Sequence, residues 1–598
     1  MRCSIRSGDI QDRMSVGRAT RLRLIVVMAL LGVALLIVTA QLLRWQVFDR
    51  AMPLAYAQPG GSKWIQKSLK PQRGLIYDYD GVLLACNLTT YSVGASPNAM
   101  PDEIYRRKFA EKMAPLLGQK PAAIMEKIAD ANRVYVRLAD HVSQETAREI
   151  ARLNYLIVTL EERTRRVYPH GSLAAHLLGF VTSDLAGYRG SYGVEGFYES
   201  VLRGKPGIGV AEPDPWGEPI PVAMAQYTPP EDGKNIYLSI RQAAQHLVER
   251  ELAQALQDSG AESGTVVVLQ PRTGAIIAMA SLPTYDPNQY AGEAYETFID
   301  PAISKIYEPG SVIKVVTVAA ALDSGAIDQN EIFYDPGAIE VGGSPIYNPD
   351  KQAHGHVDLT TVLGKSLNVE AAQIAVRLGP ERFYHYLRRF GFGSLTGVDL
   401  AGEVPGGFKT PDDPEWSESD LGTNSFGQAI AATPLQVAVA IASVANGGLL
   451  MRPYVVQAIT DNNGNSVITA PKPIRRTVTA QTAHAVTRML EKAVEQETVL
   501  ARVPGYRVAG KSGTAQVYVA GGYHPTATIA SFVGYLPVDD PAVLILVVLR
   551  RPQTSPWGSQ VAAPVFARIA KALMVLLDVP PDAVRQRMTD LPTSTIQP

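Results

Sequence analysis

Gly505-Tyr506-Arg507-Val508-Ala509-Gly510-Lys511-Ser512-Gly513-Thr514-Ala515-Gln516-Val517-Tyr518-Val519 admits two readings, and the choice between them decides the fold. Its first eight residues fit GxxxxGK[ST], the pattern of a phosphate-binding loop. Such a loop needs a buried strand before it and a helix directly after the Lys-Ser pair, so that the helix N-terminus meets the phosphate. Here Gly513 follows, then a β-type run from Thr514 to Val519, and the four variable residues Tyr-Arg-Val-Ala are themselves strand-like. The segment therefore reads as an edge strand starting near Arg507. It presents the Lys511 charge and the Ser512 and Thr514 hydroxyls to a substrate carboxylate. A strand beside a nucleophile can also lend a backbone N–H to an oxyanion hole.

Two further strings precede it in order. Ser311-Val312-Ile313-Lys314 follows the break Pro309-Gly310, and a helix is expected from about Ser311 to Asp323, with Gly325 near its end. Ser311 then lies in the first turn, where free N–H groups favour an anion. Lys314 at i+3 lies over the same face. Beside Val312, Ile313 and Val315 it is partly desolvated, which lowers its pKa and lets a neutral amine take the serine proton. Ser366-Leu367-Asn368 adds a hydroxyl that can pass protons and an amide that can fix the lysine. Each string alone also suits an ordinary helix cap. In this order they form a serine nucleophile, a proton network and a carboxylate receptor, the parts needed to attack an amide near a free carboxylate.

With 598 residues the chain exceeds one compact core, and about two to four units are expected. A net charge of −1 disfavours nucleic-acid binding, which needs a basic excess. The two cysteines, Cys3 and Cys86, fall on opposite sides of an apolar span, so no disulfide framework or CxxC metal pattern exists. His354 and His356 form an HxH pair without a recognisable third ligand, and a strand or turn is expected there. Neither a metal nor a cofactor is expected.

That span, Leu24–Leu43, carries no charge and matches the roughly 20 residues of a transmembrane helix. Arg2, Arg6, Arg13, Arg18, Arg21 and Arg23 precede it against Asp9 and Asp12, which places the N-terminus in the cytoplasm. A signal peptide cleaved near Val38-Thr39-Ala40 is the alternative, although signal h-regions are shorter. Either way the body works outside the cytoplasm.

Behind the anchor, residues 44–233 form a first region with strand-like pieces and an amphipathic helix over Pro101–Leu117. It closes in the proline-rich Ala211–Gly233, read as an extended linker or arm. From Lys234 the texture changes. Asn235–Leu256 is a strand then a helix, and Gly264–Ser281 is a hairpin about Pro271-Arg272-Thr273-Gly274. Thr526–Leu536 and Ala542–Arg550 flank a second turn, Pro537–Pro541. The apolar helix Ser559–Leu577 is interrupted by Arg568 and Lys571, so it is expected to cover a sheet and not to span a membrane. The tail 580–598 is expected to be disordered.

The three strings, flanking strands and C-terminal helix resemble the transpeptidase domain of penicillin-binding proteins over about Lys234 to Leu577. Gln72-Arg73-Gly74-Leu75-Ile76 with Asp80-Gly81, Arg166-Val167-Tyr168-Pro169, and Gly193-Val194-Glu195 with Leu202-Arg203-Gly204 resemble the pedestal, or dimerisation, domain of class B members. No glycosyltransferase module intervenes. The resemblance implies an α+β architecture: a single transmembrane helix (24–43) after a cytoplasmic tail (1–23), a mixed α/β pedestal (44–233), and a β-lactamase-like serine transpeptidase domain (234–579) with a central antiparallel sheet flanked by helices. It implies that the penultimate D-Ala of a peptidoglycan stem peptide acylates Ser311, with Lys314 as base and Ser366 and Asn368 completing the proton network. Lys511, Ser512, Gly513 and Thr514 would hold the terminal carboxylate, the N–H groups of Ser311 and Thr514 would form the oxyanion hole, and a β-lactam would trap Ser311.

Division and elongation enzymes share these motifs; the SxN form and a length near 600 lean toward division. The family implies a polytopic membrane glycan polymerase as partner. Glu370, two residues after Asn368, stands where a small residue is common in the family; it reads as a surface charge, or else perturbs Lys314. Two alternatives stay open: a D,D-carboxypeptidase or β-lactamase on the same fold, and a membrane β-lactam sensor that crosslinks nothing.

Overall fold

The computed structural model describes residues 25–41, 65–184, 187–213, 219–519 and 522–590. Ile25–Gln41 is an apolar, solvent-facing helix of 17 residues; Leu24 and Leu42-Leu43 of the expected span, and the arginine-rich segment before it, lie outside the described residues. Gly558–Leu576 is long and apolar enough to pass as a second span. Yet Phe566, Ile569, Ala570, Leu573 and Met574 are all fully buried in a protein core, as the two interrupting charges implied.

The chain divides into two compact units. In the first, comprising 1–70 and 206–230, the described core is a three-stranded antiparallel sheet of Ile65–Leu69, Gly207–Pro213 and Pro219–Thr228. The expected arm over Ala211–Gly233 is thus extended but paired, with Ile208 opposite Thr228 and Ser68. Several of its prolines fall at strand ends, where a missing ladder donor is tolerated.

The second unit holds 71–205 and 231–598. Its upstream part is built on the long strand Leu83–Ala95, flanked antiparallel by Val136–Val142 and Val158–Val167. The expected amphipathic helix runs Glu103–Leu117, with the Asp102 side chain accepting from the Tyr105 N–H and Gly118 closing it at φ 62°. It buries Phe109, Ala110 and Met113. The short strand Ile76–Tyr77 joins this sheet to the downstream part by running parallel to Asn235–Leu238, Ile76 opposite Ile236.

Glu195 is fully buried between three stretches far apart in sequence. Its Oε2 accepts from Arg73 Nε at 2.8 Å and Nη2 at 2.5 Å, and its Oε1 from Arg166 Nε at 2.8 Å and Tyr168 Oη at 3.3 Å. Arg73 Nη1 continues to Glu199 at 2.7 Å, and Arg166 Nη1 to Asn87 Oδ1 at 2.9 Å. Burial pushes the Glu195 carboxyl up, but the two guanidiniums outweigh it and hold it below its ordinary value. The three pedestal motifs are therefore one charge cluster.

Downstream, α1 (Gln242–Ser259) precedes the hairpin β1 (Ser263–Leu269) and β2 (Ile276–Leu282). Helices α2 (Ile313–Asp323), α3 (Asn368–Leu378) and α4 (Ala480–Gln496) lead to β3 (Ala509–Val519), β4 (Gly522–Leu536), β5 (Val543–Arg550) and α5 (Ala563–Leu576). The strands form one antiparallel sheet in the order β2-β1-β5-β4-β3. Both faces are covered: Val266, Val268, Phe532, Ile545 and Val547 join the core of α1 and α5, while Val267, Leu269, Val533, Leu544 and Leu546 face the core containing α2. Two-sided burial explains why β5 reads as an unbroken apolar run in place of an alternating one.

The expectation of a disordered tail from 580 is corrected for its first half. Asp582–Asp590 is a helix. Asp582 accepts from the Arg507 N–H at 2.7 Å, and Tyr506 Oη donates to the Val579 carbonyl at 2.6 Å, so the segment is tied to the start of β3. Residues 591–598 lie outside the described residues.

Candidate active site

Gly310, at φ 58°, turns the chain so that Gly310–Val312 is a 3₁₀ turn, and α2 proper begins at Ile313, two residues later than expected. Such turns are common at helix starts. Ser311 is half-buried on that turn and opens into a cleft of about 1380 Å³, lined also by Ser366, Asn368, Ser512, Thr514 and Trp557. The Ser311 hydroxyl has no hydrogen-bond partner among the described residues.

Lys314, one turn further, is completely buried. Its Nζ donates to the Ser366 carbonyl at 2.5 Å, to Asn368 Oδ1 at 2.7 Å and to Ser366 Oγ at 3.2 Å. Ser366 takes φ 60°, a left-handed conformation that costs a non-glycine residue and aims its carbonyl and hydroxyl at the same amine. Burial first, and the neighbouring Lys511 second, push Lys314 well below its ordinary value against an opposing pull from Glu370.

Lys511 is also buried. It does not stand in the cleft wall but behind it, donating to Ser366 Oγ at 3.1 Å and to the Ser512 carbonyl at 2.8 Å. Burial brings it down to about 7. The Ser366 hydroxyl therefore bridges two lysines of depressed basicity, an arrangement that can relay a proton. Ser512 and Thr514 face the cleft, and Thr514 Oγ1 accepts from the Gly558 N–H at 3.1 Å. The strand β3 is an edge strand, beginning at Ala509. It runs straight through Lys511-Ser512 with no helix after it, which removes the phosphate-loop reading.

Gly513 is needed for close approach. A Cβ there would stand 2.5 Å from Ser531 Oγ and 2.8 Å from the Pro309 carbonyl, so any side chain would push β3 away from the loop carrying Ser311. Across the same contact, a Cβ on Gly310 would stand 2.8 Å from the Thr514 carbonyl.

Sequence reasoning missed the support behind Asn368. Asn348 Oδ1 accepts from the Asn368 N–H at 3.0 Å and the Val369 N–H at 3.2 Å, while its Nδ2 donates to Asp335 Oδ2 at 2.6 Å. Nothing in Asn348-Pro349 beyond a turn signal points to this. Of the two readings of Glu370 the surface charge falls away, since it is 0 % exposed and does not line the cleft; its charge acts on Lys314, as the other reading had it. The HxH pair lies on and beside the strand Gly355–Asp358; His354 bonds Asp350 at 2.9 Å and His356 packs edge-on to Tyr334. No cluster of three metal-ligating side chains occurs among the described residues.

Residues 264–571 match the penicillin binding protein transpeptidase domain, and 68–238 match the penicillin-binding protein dimerisation domain. The probable peptidoglycan D,D-transpeptidase PbpC of Pseudomonas aeruginosa is 32% identical, the alignment covering 94% of this chain and 96% of that protein. The peptidoglycan D,D-transpeptidase FtsI of Escherichia coli is 30% identical over 87% of this chain and 86% of its own. Among solved structures, penicillin binding protein 3 of Mycobacterium tuberculosis complexed with ampicillin superposes with a TM-score of 0.66 at 29% identity, over 86% of this chain and 97% of that one.

Proposed function

Because the chain belongs to the penicillin-binding protein family, we propose that Ser311 is its nucleophile and that the residues around Ser311 carry out acyl transfer in the following way. The protein is a serine-type peptidoglycan D,D-transpeptidase that binds penicillin and crosslinks stem peptides in cell-wall synthesis. Neutral Lys314 accepts the Ser311 proton as Oγ attacks the penultimate D-Ala carbonyl. The charge on the tetrahedral oxygen is met by the N–H groups of Ser311 and Thr514. The C–N bond then breaks, and the proton returns from Lys314, through the Ser366 hydroxyl, to the amine of the departing D-Ala. An amine from a neighbouring stem attacks the acyl-Ser311 ester and gives its proton to Lys314; as the C–O bond breaks, Lys314 returns that proton to Ser311 Oγ. Ser512 and Thr514 hydroxyls receive the donor's terminal carboxylate, with Lys511 supplying charge from behind and Asn368 holding both Lys314 and the substrate backbone. In a β-lactam the severed amine stays tethered, so the ester persists. The observation that carries this reading is the Lys314 amine, fully buried and held on Ser366 and Asn368.

The chain is further proposed to sit in the bacterial cell membrane by the span 24–43, with 1–23 in the cytoplasm and the pedestal (44–233) and transpeptidase domain (234–579) outside. The apolar helix Ile25–Gln41 and the arginines before it support this. A polytopic glycan polymerase is the proposed partner of the anchor and pedestal, an inference from the family.

The test uses the full-length chain in detergent with uncrosslinked glycan strands bearing pentapeptide stems. Mass spectrometry of the digested product is expected to show crosslinked dimers with D-Ala released, and penicillin pretreatment removes both. Release of D-Ala with uncrosslinked tetrapeptides only would make it a carboxypeptidase; drug adduct formation without either product would make it a sensor. In the same assay Gly513→Ala is expected to slow labelling by a fluorescent penicillin about a hundredfold, because a misplacement of the order of 1 Å between nucleophile and carboxylate site costs that much.

A further inference from the structure

Glu370 follows Asn368 by two residues on α3 and is the one carboxylate among the described residues whose charge acts on Lys314, with no ion pair between them. It is completely buried, and among the described residues neither of its oxygens accepts a hydrogen bond from another residue. Its neighbour is Asp335, also completely buried, from the strand Ile332–Asp335. Asp335 already accepts from the Gly337 N–H at 2.7 Å and from Asn348 Nδ2 at 2.6 Å, as a carboxylate does. Two buried carboxyls side by side cannot both be ionised cheaply; one keeps its proton and donates it to the other. Glu370, with no donors of its own, is the one that keeps it. Burial first and Asp335 second push it up to about 7.

Among the described residues, Asp335 and Lys314 are the charges that act on Glu370. Of the elements packed on α3, the strand Ile332–Asp335 contributes Asp335 and α2 contributes Lys314, with Lys511 of β3 beyond it. Glu340, Tyr347, Glu381, Arg382 and Glu418 on the remaining neighbours are exposed, and Asp420 is bound to the Ser417 N–H at 2.7 Å.

We propose that Glu370 is a positioning residue for acylation: uncharged, it bonds Asp335 and steadies the Asn348–Asn368 clamp on Lys314; ionised, it holds a proton on Lys314. The chain of contacts is continuous, from Glu370 to Asp335, to Asn348 Nδ2, and from Asn348 Oδ1 to the Asn368 N–H, whose side chain receives Lys314. The consequence has a definite sign. As pH rises, Lys314 loses its proton and becomes the base, and a Glu370 that has lost its own opposes that loss. The rise of acylation with pH is thereby held at a higher pH and made shallower.

The inference rests on Ser311 being acylated, which Ser311→Ala tests separately: that variant loses all covalent labelling whatever Glu370 does. The experiment follows the second-order rate of labelling by a fluorescent penicillin from pH 5 to 9, with full-length chain and its active fraction titrated. Glu370→Gln keeps a donor to Asp335 but never ionises. Its acid-side midpoint is expected about one unit lower than the parent's and the rise steeper. Asp335→Asn lets Glu370 ionise earlier, and its midpoint is expected to move upward. Shifts of opposite sign are a signature that mere loosening of α3 does not produce, since loosening lowers the active fraction without moving the midpoint. Unchanged midpoints in both variants would overturn the proposal. If Glu370→Gln fails to fold, Asp335→Asn decides alone: an upward shift supports the proposal, and no shift or a downward one overturns it.

Discussion

Lys314→Met is expected to slow acylation of Ser311 by penicillin by three to four orders of magnitude, within the range of about 10²–10⁴ that a positioned general base contributes. The serine, the cleft and the β3 hydroxyls are untouched by this change, so drug recognition before the chemical step should persist. Lys314→Arg should fail nearly as badly, since a guanidinium stays charged at any usable pH and cannot take the proton. Lysine suits this position because it can lose its proton when buried. With Nζ buried away from bulk solvent and Lys511 nearby, the charged form is disfavoured, and the neutral amine is present at far lower pH than for a solvated lysine. The sign follows: labelling by the parent falls as pH drops through the depressed Lys314 value, because the base is then protonated. Stopped-flow labelling with a fluorescent penicillin measures both the variant rates and the acid limb. A loss smaller than tenfold in Lys314→Met would move the base elsewhere, to Ser366 and Lys511.

How much of this was legible in the sequence differs by kind of residue. The edge strand starting near Arg507, the helix carrying Ser311 and Lys314, and the two hairpins of the central sheet are local patterns, and they stand in the fold within a few residues of their expected bounds. The direction in which a side chain points is not local. Lys511 was read as the positive charge of the carboxylate receptor, but which way it points was not legible: on a strand the face is set by register, and Lys511 opposite Val533 turns inward to Ser366. For Glu370 the sequence left a surface charge and a perturber of Lys314 both open, because carboxylates are seldom fully buried. Its burial depends on Asp335, 35 positions earlier and carried on a strand that packs against α3. Asn348 was invisible for the same reason: its partners, Asp335 and Asn368, come from different elements. The helix Asp582–Asp590 is short and polar, and what fixes its start is the bond from Asp582 to the Arg507 backbone, a contact no window of sequence contains.

The pedestal motifs come from three separate stretches of one expected domain, and their meeting at Glu195 sets up the largest expected loss of stability. Glu195→Ala should cost about 3–5 kcal/mol, the usual consequence of removing one partner from a buried ion pair. The reason is what remains, more than what is lost. Arg73 and Arg166 are under a tenth exposed, and without Glu195 they are two buried cations facing each other; Arg73 keeps Glu199, while Arg166 keeps only the neutral Asn87. The damage should not stay local. Tyr198, three residues on, donates to Asp399 Oδ2 at 2.9 Å, and Asp399 accepts the N–H groups of Val455 and Val456, so the short helices around Glu195 are bonded to the transpeptidase core. Urea unfolding at neutral pH, followed by tryptophan fluorescence, measures the loss, and penicillin labelling in the absence of urea should still reach the parent's active fraction because Ser311 and its neighbours make no contact with the cluster. The acid side gives an independent check. A carboxylate held below its ordinary value near 4.5 contributes stability that is present above that value and lost as pH falls toward the folded one. Glu195→Gln, which cannot titrate, should therefore be weaker than the parent at pH 7 but lose less on going to pH 3. A cost under about 1 kcal/mol, or acid slopes that match, would mean that Asn87 and Glu199 suffice for both arginines and that the pedestal is held by its apolar contacts.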